Sequence, residues 1–247
     1  MRKFLKYALR LGLPTIVLGG LGFVALHENF YVSEITITGN DRAASAEIRS
    51  KLGFFEGEHI LLIPKRHAER ALEDDPRIAW AEVRRRFNGR VDVIVREEHP
   101  AMLLVADRIW GITDFGLAIP FEGPFQIPNL TVLTCENNDF AVSAYKMIDD
   151  AQIVAGLDFY NSIKCTSPQF IDRISEIHVA ENREITMILS GDGLAVKFGS
   201  EPAELRILRL TAILDEMGAE RADYSTIDLR YTDQAIIKLS QRAKNTS

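Results

Sequence analysis

The start of this chain constrains its fold more than any other feature. From Leu11 to Leu26 no side chain is charged, and the ten residues before that run include Arg2, Lys3, Lys6 and Arg10 but no acid. Sixteen residues at a 1.5 Å rise give about 24 Å, short of a hydrocarbon core of about 30 Å, and Tyr7, Ala8 and Leu9 extend the run if Arg10 snorkels to the interface. Gly12, Pro14, Gly19, Gly20 and Gly22 weaken a helix in water but are tolerated in a membrane. An uncleaved signal anchor over residues 11–28 fits this length and these flanks. Two other readings stay open. A cleavable signal peptide shares the cationic start, although the exit Phe23-Val24-Ala25-Leu26-His27 offers no A-x-A site, and the run can also be a buried helix of a soluble domain. Four cations before the run and none just after it orient the N-terminus to the cytoplasm and the bulk of the chain outside.

Charge supports this division. The whole chain of 247 residues has a formal charge of −6; beyond the first ten residues it carries 25 basic against 35 acidic side chains, a net −10. An acidic body lacks the cationic face that nucleic-acid binding requires. With 47% hydrophobic residues the chain is globular, and its length suits one large domain or two ordinary ones. Export into an oxidising compartment would permit a bridge between Cys135 and Cys165, and two small buried thiols are the alternative. His27, His59, His67, His99 and His178 are scattered without metal-ligand spacing, so no metal or other cofactor is expected.

After the apolar run, Val32 to Thr38 alternates as a strand does and stops at Gly39-Asn40. Ser45, Glu47, Ile48 and Leu52 before Gly53 read as a short helix, and Pro64 opens a second one that Asp75-Pro76 closes. Two extended runs, Ile78–Phe87 and Arg90–Glu97, flank Asn88-Gly89, a favoured hairpin turn. Val91, Val93 and Val95 share the packed face of that hairpin, while Asp92 and Arg96 take the other. The order β-α-α-β-β makes a compact α+β module with a seam at His99-Pro100.

The rest reads mainly as strands: Met102–Val105, Arg108–Thr113, Leu117–Pro120, Ile171–Val179, Glu184–Leu189 and Leu194–Phe198. Two helices interrupt them. Ala144–Phe159 has Met147, Ile148, Ala151 and Val154 at helical spacing; Pro202–Met217 has Leu205, Leu208, Ala212 and Ile213 on one face, with Arg206, Arg209 and Glu216 off it. Asp114-Phe115-Gly116 spells a kinase metal-binding segment, but the catalytic loop, strand lysine and phosphate loop of a kinase are missing, so the phrase reads as a turn with Gly116 at positive φ. No nucleophile elbow or Ser-x-x-Lys occurs, and Asp74-Asp75 and Asp149-Asp150 read as helix-end and loop charges. A binding protein is expected, not an enzyme.

Several phrases in order carry a family resemblance. Val32-Ser33-Glu34-Ile35-Thr36-Ile37-Thr38-Gly39-Asn40 directly after an anchor resembles the opening of a POTRA domain, and Val93-Ile94-Val95-Arg96-Glu97-Glu98-His99-Pro100-Ala101 resembles its end in the FtsQ/DivIB cell-division proteins. Trp110-Gly111-Ile112-Thr113-Asp114-Phe115-Gly116, Ile127-Pro128-Asn129-Leu130 and Ile227-Asp228-Leu229-Arg230-Tyr231 are similar to later phrases of that family, so the likeness spans about residues 7 to 240. It implies an α+β chain: a cytoplasmic stub at 1–10, a single transmembrane helix at 11–28, a POTRA domain at 31–99, a curved, mainly antiparallel β domain with two helices at 100–241, and a tail at 242–247.

The resemblance further implies a non-enzymatic divisome scaffold of the inner membrane, periplasmic in bulk and sited at the septum. Its final strand and preceding helix would receive FtsB, itself coiled with FtsL, and the POTRA domain would meet other division proteins. No small-molecule substrate is implied. The matching partner-binding positions are Arg230, Tyr231, Thr232, Asp233, Gln234 and Ala235, with Arg206 on the helix as a carboxylate clamp. The chain departs from the family pattern in its ten-residue stub, in Gln234 where glycine is common, and in Leu239 where an aromatic residue is frequent. A POTRA-bearing component of outer-membrane protein assembly or secretion is the alternative. It is disfavoured because no run of barrel-type strands follows.

Overall fold

The computed structural model describes residues 19–20, 22, 30–86, 88–121, 127–137, 140–199, 204–218, 223–231 and 234–240. Among them no helix is long and apolar enough to cross a membrane; apart from Gly19, Gly20 and Gly22, the apolar run lies outside the described residues, as do the stub and the tail. The chain divides into two compact units, Met1–Glu98 and His99–Ser247.

The first unit has strand β1 (Glu34–Thr38), helices α1 (Ser45–Lys51) and α2 (Lys65–Glu73), and the hairpin β2 (Ile78–Arg85) and β3 (Arg90–Glu97). The sheet order is β1-β3-β2, with β1 parallel and β2 antiparallel to the central β3. Alternation has its expected result: Val91, Val93 and Val95 are buried in one core with Ile48 and Leu52 of the α1 segment and Ala68 and Leu72 of α2. Glu97 is buried too, at 3% exposure. Its carboxylate accepts hydrogen bonds from the backbone N–H groups of Asp41, Arg42 and Ala43 at 2.8–3.0 Å, which latches the turn after β1 onto the end of β3. Gly39 opens that turn at φ +83°, where a Cβ would stand 2.1 Å from the Val95 carbonyl oxygen.

Asp75, just past α2, is a second buried carboxylate, paired with Lys51 at 2.5 Å and Arg77 at 2.6 Å. Hydrogen bonds from the Arg77 guanidinium, with help from Lys51, hold its carboxyl well below the usual carboxylate range against the opposing effect of burial. Because the folded pKa lies below the unfolded value of about 4, this stabilisation is complete above that value and is lost as pH falls through it toward the folded pKa. Asp75→Asn is expected to cost about 2 kcal/mol at neutral pH, since it takes the carboxylate from Lys51 and leaves Arg77 with Glu47 as its ion-pair partner among the described residues. Urea midpoints at pH 7 and pH 3 check this: the variant should lose less stability on acidification than the parent chain.

The second unit is built on one nine-stranded sheet in the order β12-β11-β10-β9-β8-β7-β4-β5-β6. Its strands are β4 (Met102–Val105), β5 (Ile109–Ile112), β6 (Ala118–Ile119), β7 (Val132–Cys135), β8 (Ile174–Val179), β9 (Ile185–Leu189), β10 (Ala195–Gly199), β11 (Tyr224–Asp228) and β12 (Ile236–Leu239). Pairing is mixed but mainly antiparallel; β7 runs parallel to both β4 and β8, and β10 parallel to β11. Helix α3 (Ala151–Thr166) leads into a 3-10 turn at Pro168–Arg173, and α4 (Glu204–Met217) precedes β11.

Three readings of the sequence are corrected here. Helix α3 begins at Ala151, because the Asp150 side chain accepts from the N–H groups of Gln152 and Ile153 and caps it there. Its buried face is Ile153, Gly156, Leu157, Tyr160 and Ile163, while Met147 lies outside the helix and Val154 is exposed. Gly156 lets the helix approach β7 closely, since a Cβ would meet Leu133 at 2.4 Å. Helix α4 is rotated from the expected face: Ile207, Leu210 and Leu214 are buried with Arg206, and Leu205 and Leu208 are 80% and 57% exposed. Finally, β8 starts at Ile174, because the 3-10 turn takes Ile171 to Arg173. Cys135 and Cys165 are both free: Cys135 is buried, with its thiol pushed up to about 12 mainly by burial, and Cys165 is exposed. Gly116 has φ +95° in a turn that Thr113 closes through its backbone and hydroxyl, as the reading of that phrase requires.

Candidate functional site

A partner that adds a strand needs an edge with unused backbone groups. Among the described residues the two sheets present four edges, and on three of them other parts of the chain take up backbone groups at or beside the strand. On the outer side of β1, Arg49 donates to the Ile35 carbonyl, and the loop at Gly57–Ile60 hydrogen bonds with Phe30 and Val32 just before the strand. On β2, Glu73 accepts from the Ala81 N–H at 3.1 Å and Glu69 from the Val83 N–H at 2.9 Å. One helical turn matches the two-residue repeat of a strand closely enough for glutamates four apart to stopper alternate amides. On β6, Ala118 exchanges hydrogen bonds with Lys146 and Tyr145.

The fourth edge is β12. All four of its residues are exposed, with Ile236 at 39%, Ile237 at 40% and Leu239 at 46%, and among the described residues it pairs on one side only, with β11. Consecutive apolar residues open on both faces of an edge strand are a liability unless a partner covers them. Tyr231, at 46% exposure, stands in the connection leading into this strand.

The arginines around the connection hold it in place. Arg206 is buried, and its guanidinium donates to the carbonyl oxygens of Phe198 and, at 3.4 Å, Arg230. Arg209, one turn further along α4, donates to the Tyr231 carbonyl at 3.1 Å. The expectation that Arg206 lies off the apolar face of the helix is therefore corrected: it is buried with Ile207, Leu210 and Leu214 and ties α4 to the end of β10 and to the chain after β11. Arg230 forms a double hydrogen bond with the carboxylate of Asp228 at 3.0 and 2.8 Å, which holds that carboxyl below its ordinary range and raises the guanidinium. Gly199, at φ +74°, gives Arg230 and Arg206 room, since a Cβ there would lie 3.3 Å from Arg230 Cγ. Gln234 and Ala235 lead into β12, and Thr232 and Asp233 lie outside the described residues.

Sequence reasoning missed the exposed pair Leu205 and Leu208, the carbonyl clamp of Arg209, and Gly199. The signal available was the spread of leucine and isoleucine around all of α4, which leaves apolar side chains on whichever face the core does not take.

A model of the POTRA domain, FtsQ-type, matches residues 30–98, and one described as Cell division protein FtsQ/DivIB, C-terminal, matches residues 131–230. The chain belongs to the FtsQ/DivIB family. Among its relatives, Cell division protein FtsQ of Anaeromyxobacter sp. (strain K) is 28% identical over 245 residues, covering 93% of this chain and 81% of that one. The proteins of the same name from Myxococcus fulvus and Geotalea daltonii are each 24% identical, over 85% and 78% of this chain and 74% and 70% of theirs. The first unit is thus an FtsQ-type POTRA domain and the second carries the family's C-terminal β domain. Membership places the chain in cell division and disfavours the outer-membrane assembly reading.

Proposed function

We propose that this chain is a non-catalytic scaffold of the division machinery, held in the inner membrane by residues 11–28 with its two units in the periplasm, and that it receives a strand of an FtsB-like partner on the outer edge of β12. The observation that carries this reading is the open, apolar β12 edge beside Tyr231, in a molecule whose other described edges have backbone groups taken up by the chain itself. An added strand would take up the unused backbone groups of Ile236–Leu239, while the exposed Tyr231, in the connection leading into the strand, offers apolar contact. Arg230, Gln234 and Ala235 belong to this surface as the approach to the edge, Thr232 and Asp233 stand between them in sequence, and Arg206 acts by fixing the Arg230 carbonyl. An FtsL-like protein coiled with the partner would be brought to the same place, and other division proteins would meet the POTRA domain.

Tyr231→Glu in the full chain, co-expressed with the FtsB-like protein of the same organism and solubilised from membranes, tests the reading. Capture is expected to fall about thirtyfold, as for loss of an interface hot spot. The thermal midpoint should not move, because the side chain is half exposed. Undiminished capture overturns the edge assignment.

A further inference from the structure

The loop between α1 and α2 of the first unit alternates buried anchors with bare apolar side chains. Phe54, Ile60 and Ile63 are 4%, 1% and 2% exposed; Phe55, Leu61 and Leu62, their neighbours in sequence, are 70%, 45% and 79% exposed. Single exposed leucines are ordinary, but three large apolar groups on one loop held rigidly from beneath call for a partner.

The loop is tied to the first residues after the apolar run. Val32 N–H donates to the Glu58 carbonyl at 2.8 Å, Gly57 N–H to Val32 at 2.7 Å and Ile60 N–H to Phe30 at 2.6 Å, while the rings of Phe30 and Tyr31 pack on His59. From residue 28, the end of the anchor, to Phe30 the backbone can span at most about 7 Å. Whatever path those residues take, the loop is held next to the point where the chain leaves the bilayer.

Charge agrees with a lipid surface as the occupant. Arg66, exposed and four residues past Leu62, suits anionic headgroups, as does Lys65 beside it, which pairs with Glu69 at 3.4 Å and stays 38% exposed; of the acids within the loop, Glu56 is paired with Arg49 at 2.7 Å and Glu58 lies in the hydrogen-bonded stretch beside Val32. We propose that the loop Gly53–Ile63 is a second membrane contact, in which Phe55, Leu61 and Leu62 enter the headgroup region beside the anchor and fix the tilt of the POTRA domain on the bilayer. The inference rests on residues 11–28 being an anchor.

The test uses the full chain carrying Cys165→Ser, so that the buried Cys135 is the one native thiol left, in vesicles of phosphatidylethanolamine and phosphatidylglycerol. A single cysteine for an environment-sensitive fluorophore replaces Leu62 in the loop, Leu18 in the anchor, or Asp74, which is exposed beyond α2. Asp74 lies toward the Ile78/Glu97 end of the sheet, about 20–25 Å along the strands from the Glu34/Arg90 end. Doxyl-labelled lipid is expected to quench the Leu62 label at least threefold more than the Asp74 label. Equal quenching at the two positions, with the Leu18 label still quenched, overturns the loop contact and leaves the anchor standing; exclusion of aqueous iodide from Leu62 would then assign the patch to a second copy of the chain. If the Leu18 label is not quenched either, the anchor reading fails and the loop contact fails with it.

Discussion

Gly39→Ala is expected to abolish cooperative folding of the POTRA domain. Two independent penalties meet at this residue. Its φ of +83° is strained for any residue with a Cβ, and the Cβ itself would lie 2.1 Å from the Val95 carbonyl oxygen, a backbone atom of the central strand that cannot rotate away. Relief requires β1 to leave β3. Together these should cost about 4 kcal/mol or more, a large part of the 5–15 kcal/mol that holds a domain folded. Amide hydrogen exchange of the full chain reads the effect locally: peptides covering Val91–Val95 should lose protection while those covering β8 and β9 keep theirs. Unchanged protection in β3 would show that the turn can shift without consequence.

Glu97→Ala should come close to it. The variant strips acceptors from three consecutive backbone N–H groups, those of Asp41, Arg42 and Ala43, at a site where the carboxylate is 3% exposed and water has little access. Hydrogen bonds to a charged acceptor each contribute about 1.5–3 kcal/mol but do not add fully within one cluster, so a loss of about 3–4 kcal/mol is expected. Glu97→Gln should fall between parent and alanine variant, because one of its two terminal groups is a donor and faces donors. Urea unfolding of the three proteins gives the order; a glutamine variant as stable as the parent would mean that shape and not charge holds the turn. Gly39 and Glu97 fix the same turn, so the double variant should lose less than the two single losses combined.

The Glu97 result also gives a physical reason for one of the family phrases. Acidic-x-x-Pro-Ala could be recognised in sequence as a signature, but not what it does: the acid reaches back to a turn far earlier in the chain, and Pro100 packs on Gly111, where a Cβ would stand 2.8 Å from the proline ring. Elements with strong local signals were legible. The Asn88-Gly89 hairpin, the Pro64 start of α2 and the valine alternation of β3 all appear where turn chemistry and period put them. The faces of α3 and α4 were misassigned for a reason that is also physical. Both helices carry apolar residues nearly all round, so the side that packs is chosen by the sheet beneath, through Gly156 against Leu133 and Arg206 against the Phe198 carbonyl. Strand β7 gave too little signal because Val132–Cys135 is short and follows an irregular stretch. At the candidate site the residue types were legible, and the clamp of carbonyls by two arginines was not, since it depends on where α4 lies.

The parallel pairing of β1 with β3 has a consequence for how the POTRA domain comes into being. Glu34 sits beside Arg90 and Thr38 beside Ile94, so the first strand to be synthesised pairs with the last. The central strand of the sheet is also its youngest, and Glu97, at its very end, closes the turn after β1. Nothing made before β3 gives β1 a strand partner, and the closing contact carries the entropy of a long loop. The domain therefore assembles in a single late event rather than growing from its N-terminus. A chain interrupted anywhere between Asn40 and Arg90 would leave β1 a bare strand, exposed to whatever else lies nearby while the ribosome finishes.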